Sequence, residues 1–417
     1  MAAPTAPTEE RVTPPQSVWV ERLRTVGQAV GTPAGSVIFA FAVGALIVLF
    51  TGGNPFLAYQ ALICGGFGLF CFGGENPALQ LSNTIVFLTP LILTGLSVAV
   101  AFRAGLFNIG AEGQFVVGII AATALGVGLK EWPAIMLLPT VMLGGMLAGA
   151  LWGGIVGVLK AFTGAHEVVT TIMLNYVALW LTRYLIVGGP LQSKNGFSTS
   201  PQIGPGAQLP ALLPQGPNQF YFDLPASVYL ANTGLFVALA AAAVYWFLLK
   251  RTALGYELRA VGQSQRAAKY AGVSVRRTII VTMLSSGAFS GLAGAVQISG
   301  VFPHTLTDIY FVDTTGFDAI AVSLLGLNSA VGVVLAAILF GALHAGGSVM
   351  QSDAGISGNL VFILEALVLF SLAANFLRAL KIRLPGFGRT ASGEGLSDTE
   401  AVDAQTPALA ADRESGT

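Results

Sequence analysis

The chain has 417 residues, of which 54% are hydrophobic, only 10% are charged and 52 are glycine, and its formal net charge is zero. Soluble domains carry about 25% charged residues, so this composition excludes a large soluble catalytic domain and predicts an all-α, polytopic membrane protein. The net charge gives no indication of a nucleic acid partner, and none is expected.

The first part of the chain is polar and contains prolines before any apolar run begins. It lacks the early apolar core of a secretory signal, so residues 1–34 are expected to form an arm with a short interfacial helix around residues 18–26. The glycine-rich apolar residues 56–72 favour a re-entrant or interfacial segment over a full span. Their cysteines, Cys64 and Cys71, match no zinc or haem motif, and two buried free thiols are expected, with a disulfide as the alternative.

Nine long apolar runs occur along the chain, each close to the ~20 residues that cross a bilayer as a helix. They cover residues 35–51, 82–102, 107–128, 133–159, 168–187, 231–249, 278–300, 330–349 and 359–377. A further run, residues 317–327, is too short to cross alone, and we expect a short helix, a turn and a longer returning helix there. The sequence therefore predicts about ten transmembrane helices, including a short broken one, within a membrane domain of residues 35–380.

The distribution of lysine and arginine gives the direction of the spans, because these residues stay preferentially on the cytoplasmic side. With the N-terminus inside, all but three of the 20 basic residues fall on that side, the exceptions being Lys130, Arg183 and Lys194. Both termini are therefore expected in the cytoplasm. The loop 188–230 is then external, the basic loop 250–277 is internal, and residues 381–417 form a disordered tail.

Small residues recur at every fourth position on two of the predicted spans. In lipid, this spacing lets helix backbones approach closely, and it favours a static packing seam over a moving joint. The residues concerned are Gly145, Gly149, Gly153 and Gly157 on one span, and Gly287, Gly291 and Ala295 on the other.

The internal loop reads KRTALGYELRAVGQSQRAAKYAGVSVRR. Ser264 suits an N-cap, which predicts a short helix over residues 265–270 that stops at Gly272, and Ser274 suits a second cap for the next span. Retention of positive charge inside would explain the basic residues, but it would not explain a capped helix that carries tyrosines. We therefore interpret the loop as a docking surface, formed by Tyr256, Glu257, Arg259, Arg266, Lys269 and Tyr270.

The segment GLFNIGAEGQ places an amide and a carboxylate between two apolar runs, with Asn108 and Glu112 on one face of a helix. Ionisable groups at membrane depth nearly always face a bundle interior or a water-filled cavity. Three roles remain open for Glu112. It caps or pairs with nearby backbone or Arg103, it lines the inner end of a translocation path together with Asn108 and Gln114, or it carries protons.

Other polar side chains lie inside the predicted spans. Asn175 and Tyr176 suit hydrogen bonding and stacking against a nucleobase or sugar, or else a hydrogen bond between helices. Asp318 begins the short helix, where its carboxylate either stabilises the positive N-terminal end or contacts substrate. Glu365 faces either a partner subunit or the cavity.

The sequence offers no evident chemistry for catalysis or metal binding. His304 and His344 have no ligand-like partners at metal spacing, so no metal site is expected. No Ser/His pair, no paired carboxylates at an evident catalytic spacing and no H-E-x-x-H motif occur. The chain is therefore not expected to be an enzyme.

Four segments resemble, in the right order, signatures of ABC importer permeases of the simple-sugar and nucleoside kind. They are GLFNIGAEGQ, HEVVTTIMLNYVA, LRAVGQSQRAAKYAGVS and GFDAIAVSLLGLNSAVGVVLAAILFGAL. The resemblance covers about residues 54–380, and the second segment is typical of the nucleoside-type branch.

The resemblance implies a type II ABC importer permease that assembles with a second permease, ABC ATPase subunits and an external solute-binding (lipo)protein. The chain contains no G-x-x-x-x-G-K-[ST] phosphate loop, so ATP and Mg²⁺ would be used by the separate ATPase and no cofactor is expected in this chain. LRAVGQSQRAAKYAGVS would be the segment that contacts it.

The expected function is translocation of nucleosides across the bacterial inner membrane. One alternative is a simple-sugar (ribose-like) ABC importer permease. Another is a secondary transporter driven by an ion gradient, with Glu112 or Glu365 as the proton carrier. The residues predicted to line the path are Asn108, Glu112, Gln114, Asn175, Tyr176 and Asp318.

Overall fold

The computed structural model describes residues 18–71, 76–212, 220–221, 224–225, 230–307 and 315–373. Over these ranges the chain is almost entirely helical, with a 3₁₀ turn at Pro205–Ala207 and one antiparallel pair of two-residue strands, β1 (Phe220–Tyr221) and β2 (Leu224–Pro225). The all-α fold class predicted from composition is confirmed. The tail expected at 381–417 lies outside the described residues.

The helices, in chain order, are α1 (Val18–Phe50), α2 (Pro55–Phe67), α3 (Pro77–Arg103), α4 (Ala111–Gly128), α5 (Ala134–Thr163), α6 (Glu167–Ile186), α7 (Gly234–Arg251), α8 (Ala253–Gln263), α9 (Gln265–Tyr270), α10 (Val275–Gly300), α11 (Thr315–Leu325), α12 (Ala330–Ala354) and α13 (Leu360–Ala373). Within the described ranges, eight of them are long and apolar enough to cross a membrane, namely α1 from Pro33 onward, α3 to α7, α10 and α12. Shorter apolar helices are α2, α11 and α13. The chain is thus a multi-pass membrane protein.

Two helix boundaries differ from the apolar runs. The interfacial helix expected around residues 18–26 is the first part of α1, which continues through Pro33 without interruption. The run at 107–128 becomes helical only at Ala111, because the preceding residues form an irregular turn in which Gly105 has a φ of 71°. The membrane segment therefore contains non-helical backbone at this turn, of which Leu106, Asn108 and Gly110 are buried.

Helix α3 is the centre of the bundle, since 78% of its most apolar window is buried by protein, against 22% for α5 and for α6. It packs against α7, α10, α11 and α12. Its buried residues include polar ones such as Thr94 and Ser97, both fully buried. In lipid such groups need partners within the protein, so the centre of the bundle holds most of the intramembrane hydrogen bonds described below.

The small residues of α5 and α10 form the predicted seam. A Cβ added to Gly149 would strike the Gly287 carbonyl and the Gly291 Cα, and one added to Gly153 would strike the Met283 carbonyl. Only glycine permits so close an approach of two backbones, which gives the helices extensive van der Waals contact in the absence of a hydrophobic driving force. The close helix packing predicted from this spacing is confirmed.

The two cysteines form a disulfide, so the expectation of free thiols is wrong. Helix α2 ends at Phe67, and its C-cap Gly68, with a φ of 67°, and Phe70, with a φ of 60°, return the chain so that the Cα atoms of Cys71 and Cys64 are 5.0 Å apart. The sequence spacing did not reveal this return because it depends on a left-handed residue between the cysteines. The bridge lines a small cavity together with Asp353, at the C-terminal end of α12.

Candidate translocation and coupling sites

The turn between α3 and α4 is held by a closed pair of amide side chains. Asn108 Nδ2 donates to Gln114 Oε1 at 2.9 Å, and Gln114 Nε2 donates back to Asn108 Oδ1 at 3.1 Å. Both residues are 1% exposed. Asn108 Oδ1 also accepts from the Gly110 amide at 3.1 Å, which fixes the start of α4.

Two serines of α10 extend this pair into a network. Asn108 Nδ2 donates to Ser286 Oγ on α10 at 2.7 Å, and Ser286 Oγ donates to the Ser97 carbonyl of α3, also at 2.7 Å. Ser290 Oγ donates to the Ala111 carbonyl at the first turn of α4. The turn is thus tied to α3 and α10 by satisfied hydrogen bonds, the condition under which a buried polar network rigidifies its surroundings.

Glu112 connects the turn to the short helix α11. Its Oε2 accepts a hydrogen bond from the Gly316 amide at 2.6 Å, and the residue is 8% exposed. A carboxylate is favourable there, because the first amides of α11 lack partners within their own helix and carry partial positive charge. Of the three roles left open by the sequence, this geometry agrees with capping of backbone, although the backbone belongs to another helix.

Arg103 does not pair with Glu112. It donates instead to the carbonyl oxygens of Asn328 at 3.0 Å and Leu327 at 3.2 Å, in the turn between α11 and α12. Tyr245 of α7 donates to the same Asn328 carbonyl at 2.8 Å. The broken helix predicted at 317–327 is therefore fixed at both ends, by Glu112 at its start and by Arg103 at its turn.

Asn175 and Tyr176, adjacent on α6, have different surroundings. Asn175 Oδ1 accepts from the Gly113 amide at 2.8 Å, and its Nδ2 donates to the Ile109 carbonyl at 2.9 Å. These contacts match the second role considered for Asn175, a hydrogen bond between helices, and they stabilise the turn from the side of α6. Tyr176 is 59% exposed and points away from the bundle.

Asp318 lies beside two residues that the sequence did not connect with it. His344 Nε2 is 3.4 Å from Asp318 Oδ2 and 3.1 Å from Glu365 Oε1, so α11, α12 and α13 each supply one ionisable group to a buried cluster. The Phe87 ring stacks on His344 with 5.7 Å between ring centroids. The expectation that His344 has no ligand-like partners is wrong, because the partners come from separate helices.

The basic loop 250–277 folds into two short helices at the end of the bundle. Ser264 Oγ accepts from the Ala267 amide at 3.3 Å, α9 spans Gln265–Tyr270, and Gly272 follows with a φ of 83°. The predicted cap, helix and stop are confirmed. Ser274 directly precedes α10, but its side chain makes no capping hydrogen bond.

The residues predicted for docking are largely accessible. Tyr270 is 94% exposed and Tyr256 is 60% exposed, whereas Glu257 and Arg259 are half-buried. A groove of about 540 Å³ is lined by Gln265, Arg266, Lys269, Val273, Ser274, Val275 and Arg276. The loop thus presents aromatic, cationic and concave features together on one surface.

This surface lies directly against the polar turn. A Cβ on Gly262, near the end of α8, would strike the Arg103 carbonyl, and one on Gly105 would meet the Gly262 backbone at 3.3 Å. Arg103, Lys250 and Arg259 also line one cavity of about 400 Å³ with Asn328. A displacement of α8 would therefore shift the backbone of the α3–α4 turn and of the α11–α12 turn.

The bundle of spans, the buried polar turn and the exposed basic helix define the membrane subunit of a transporter. The chain matches, over residues 80–372, the family described as branched-chain amino acid transport system / permease component. It belongs to this family and, like its relatives, it is an ABC transporter permease. No solved structure matches the chain at a significant level.

Three curated relatives cover most of the chain. The guanosine ABC transporter permease protein NupP of Bacillus subtilis (strain 168) is 42% identical over 346 residues, 82% of this chain and 93% of NupP. The glucose ABC transporter permease protein TsgB13 of Haloferax volcanii is 36% identical over 356 residues, 85% of this chain and 90% of that protein. The nucleoside ABC transporter permease protein NupB of Lactococcus lactis subsp. cremoris is 34% identical over 353 residues, 85% of this chain and 92% of NupB.

Proposed function

We propose that this chain is the permease subunit of an ATP-driven importer that moves nucleosides across the cytoplasmic membrane. The observation that carries the mechanism is the direct packing of the exposed basic helix pair α8–α9 against the polar turn at residues 103–114. The choice of nucleosides is supported by the likeness to NupP and NupB, whose names specify guanosine and nucleosides.

In the proposed mechanism, ATP and Mg²⁺ bind a separate ATPase subunit, which docks on Arg266, Lys269 and Tyr270. Closure of the ATPase moves α8–α9, and the contact at Gly262 transmits this motion to the α3–α4 turn. The Glu112–Gly316 hydrogen bond transmits the motion of the turn to α11. No step requires a cofactor within this chain.

The proposed path runs beside the turn, along the residues predicted to line it, at an interface with a second permease. The half of α6 that carries Tyr176 is mostly accessible in the single chain, which suits contact with such a partner. The loop 188–230 then faces an external solute-binding lipoprotein. The asymmetry of lysine and arginine supports this orientation, with both termini in the cytoplasm.

Substitutions on α9 test the coupling role. Lys269→Ala and Tyr270→Ala should each lower ATP-driven nucleoside uptake and substrate-stimulated ATP hydrolysis about tenfold or more, equivalent to ~1.4 kcal/mol of lost coupling. Lys130→Ala, which removes an exposed lysine from the opposite side, is the matched control and should behave as wild type.

Binding of nucleoside by the external partner should be unchanged in all three variants. Uptake by the permeases alone in proteoliposomes, driven by a pH gradient without ATP, would instead establish the secondary-transport alternative. Normal coupled uptake in both α9 variants would remove the docking role of this helix.

A simple sugar is the second candidate substrate, because TsgB13, named for glucose, is 36% identical. Competition for uptake distinguishes a nucleoside substrate from a simple sugar. Unlabelled guanosine and uridine should block uptake of a labelled nucleoside, whereas ribose and glucose in the same excess should not.

A further inference from the structure

We propose that Asp318, His344 and Glu365 form a binding site for one divalent transition-metal ion, of which Zn²⁺ is the physiological candidate. The site lies between α11, α12 and α13, and it is independent of the transport activity proposed above. Each residue offers one ligand atom, and these atoms all lie within 4.8 Å of one another.

The separations between the ligand atoms suit a tetrahedral metal ion. Bonds of ~2.0–2.2 Å to nitrogen and carboxylate oxygen place tetrahedral ligands roughly 3.3–3.6 Å apart. The measured separations from His344 Nε2 are 3.4 Å to Asp318 Oδ2 and 3.1 Å to Glu365 Oε1. These two separations match tetrahedral coordination, and the two carboxylate oxygens, within 4.8 Å of each other, can close on the same ion by side-chain movement.

The state of the Glu365 carboxylate is the second observation. Glu365 is 5% exposed, and within the described residues neither of its oxygens has a hydrogen-bond partner. His344 Nε2 lies 3.1 Å from Oε1. A buried carboxylate without a hydrogen bond, next to an imidazole nitrogen, keeps the lone pairs that a metal ligand needs.

The charge of the cluster also calls for a cation. Ionised carboxylates at Asp318 and Glu365 would be costly within a bundle that crosses lipid unless a counter-ion were present. One divalent ion neutralises both. Within the described residues, Glu365 forms no ion pair with a lysine or arginine.

A fourth coordination position is available beside the three side chains. A cavity of about 60 Å³ adjoins Asp318 and His344 and is lined by Gln297 and Thr315. Since a water molecule occupies ~30 Å³ of liquid volume, the cavity has room for a metal-bound water. Gln297 Oε1 is buried without a hydrogen-bond partner among the described residues, so it is available to accept from that water.

The donor set selects the kind of metal. One imidazole nitrogen and two carboxylate oxygens suit Zn²⁺ and its spectroscopic substitute Co²⁺, whereas Mg²⁺ and Ca²⁺ prefer sets made of oxygen alone. Bound at this place, the ion would hold α11 to α12 and α13.

The test uses the full chain in lipid nanodiscs, after removal of any affinity tag, chelation and reloading with Co²⁺. We expect one Co²⁺ ion per chain, with the visible absorption of tetrahedral Co²⁺ and an X-ray absorption spectrum that shows one imidazole ligand. Glu365→Gln, which keeps the size of the side chain, should weaken binding by tenfold or more. His304→Ala, which removes a histidine outside the cluster, should bind Co²⁺ as wild type does.

Sub-stoichiometric Co²⁺ in the wild type overturns the proposal, as does equal binding by the wild type and Glu365→Gln. Either result would assign a shared proton, rather than a metal ion, to the cluster. If Glu365→Gln does not fold, the wild-type spectra still decide, because absorption without an imidazole ligand excludes His344 as a ligand.

Discussion

Single polar side chains inside this bundle hold the backbone of neighbouring elements. Asn108 fixes the Gly110 amide, Asn175 fixes the Gly113 amide and the Ile109 carbonyl, and Glu112 fixes the Gly316 amide. An unsatisfied backbone group in hydrocarbon costs several kcal/mol. These side chains therefore make an irregular turn possible where lipid would otherwise require continuous helix.

Replacing Asn108 should destabilise the turn severely. Asn108→Ala leaves the Gln114 amide and the Gly110 amide without their buried partner, and the penalty for each such group is ~1–3 kcal/mol. We expect a clear drop in the thermal unfolding midpoint in detergent. Asn195→Ala, in the exposed loop between α6 and α7, is the matched control and should leave the midpoint unchanged. Equal midpoints for the two variants would contradict the bracing role.

Two substitutions of Glu112 distinguish a structural role, in which it holds the Gly316 amide, from a role as a proton carrier. Glu112→Gln keeps an oxygen that accepts from the Gly316 amide, so transport should remain within about threefold of wild type, equivalent to ~0.6 kcal/mol. Glu112→Ala removes the acceptor and should lower transport at least tenfold, since an orphaned buried amide costs ~1–3 kcal/mol. The measurement is ATP-driven uptake in proteoliposomes. A proton carrier would instead make Glu112→Gln as inactive as Glu112→Ala.

The packing of helix α5 against helix α10 depends on the close approach of their backbones. A methyl group at Gly149 meets backbone of α10 that cannot move aside, so Gly149→Ala should destabilise the bundle by ~1–3 kcal/mol. Gly128→Ala, at the end of α4, meets no atom within 4 Å and should be neutral or stabilise by up to ~1 kcal/mol. Thermal unfolding of the two variants measures the difference, and equal midpoints would show that the seam tolerates widening.

Elements determined by local chemistry could be predicted from the sequence, whereas contacts between distant elements could not. The Ser264 cap and the Gly272 stop act within one helical turn, and the glycine spacing on α5 is a property of one helix. By contrast, the cluster around His344 combines three helices, and nothing in the spacing of its members indicates that they meet. The disulfide likewise depends on the left-handed backbone conformation of Gly68, which the spacing of the two cysteines does not reveal.

At the scale of the molecule, the polar interior forms a continuous connection from the basic end of the bundle to the start of α11. It begins at the contact of Gly262 with the Arg103 carbonyl, passes through the α3–α4 turn and ends at the Glu112–Gly316 hydrogen bond. The family model, which spans residues 80–372, includes this connection. This connection does not specify a substrate, because its polar side chains bond to one another or to backbone.

The disulfide between Cys64 and Cys71 and the helix α9 belong to opposite ends of the bundle. Arg103 ties the start of α12 to the side where α8 and α9 lie, while the disulfide adjoins Asp353 at the far end of α12. Cysteine pairs persist as disulfides in oxidising compartments and are kept reduced in the cytosol. In the proposed orientation the disulfide lies on the external side and α9 in the cytoplasm, so a chain inserted the other way round would leave both sulfurs as thiols, and closure of this one covalent bond would report correct membrane insertion.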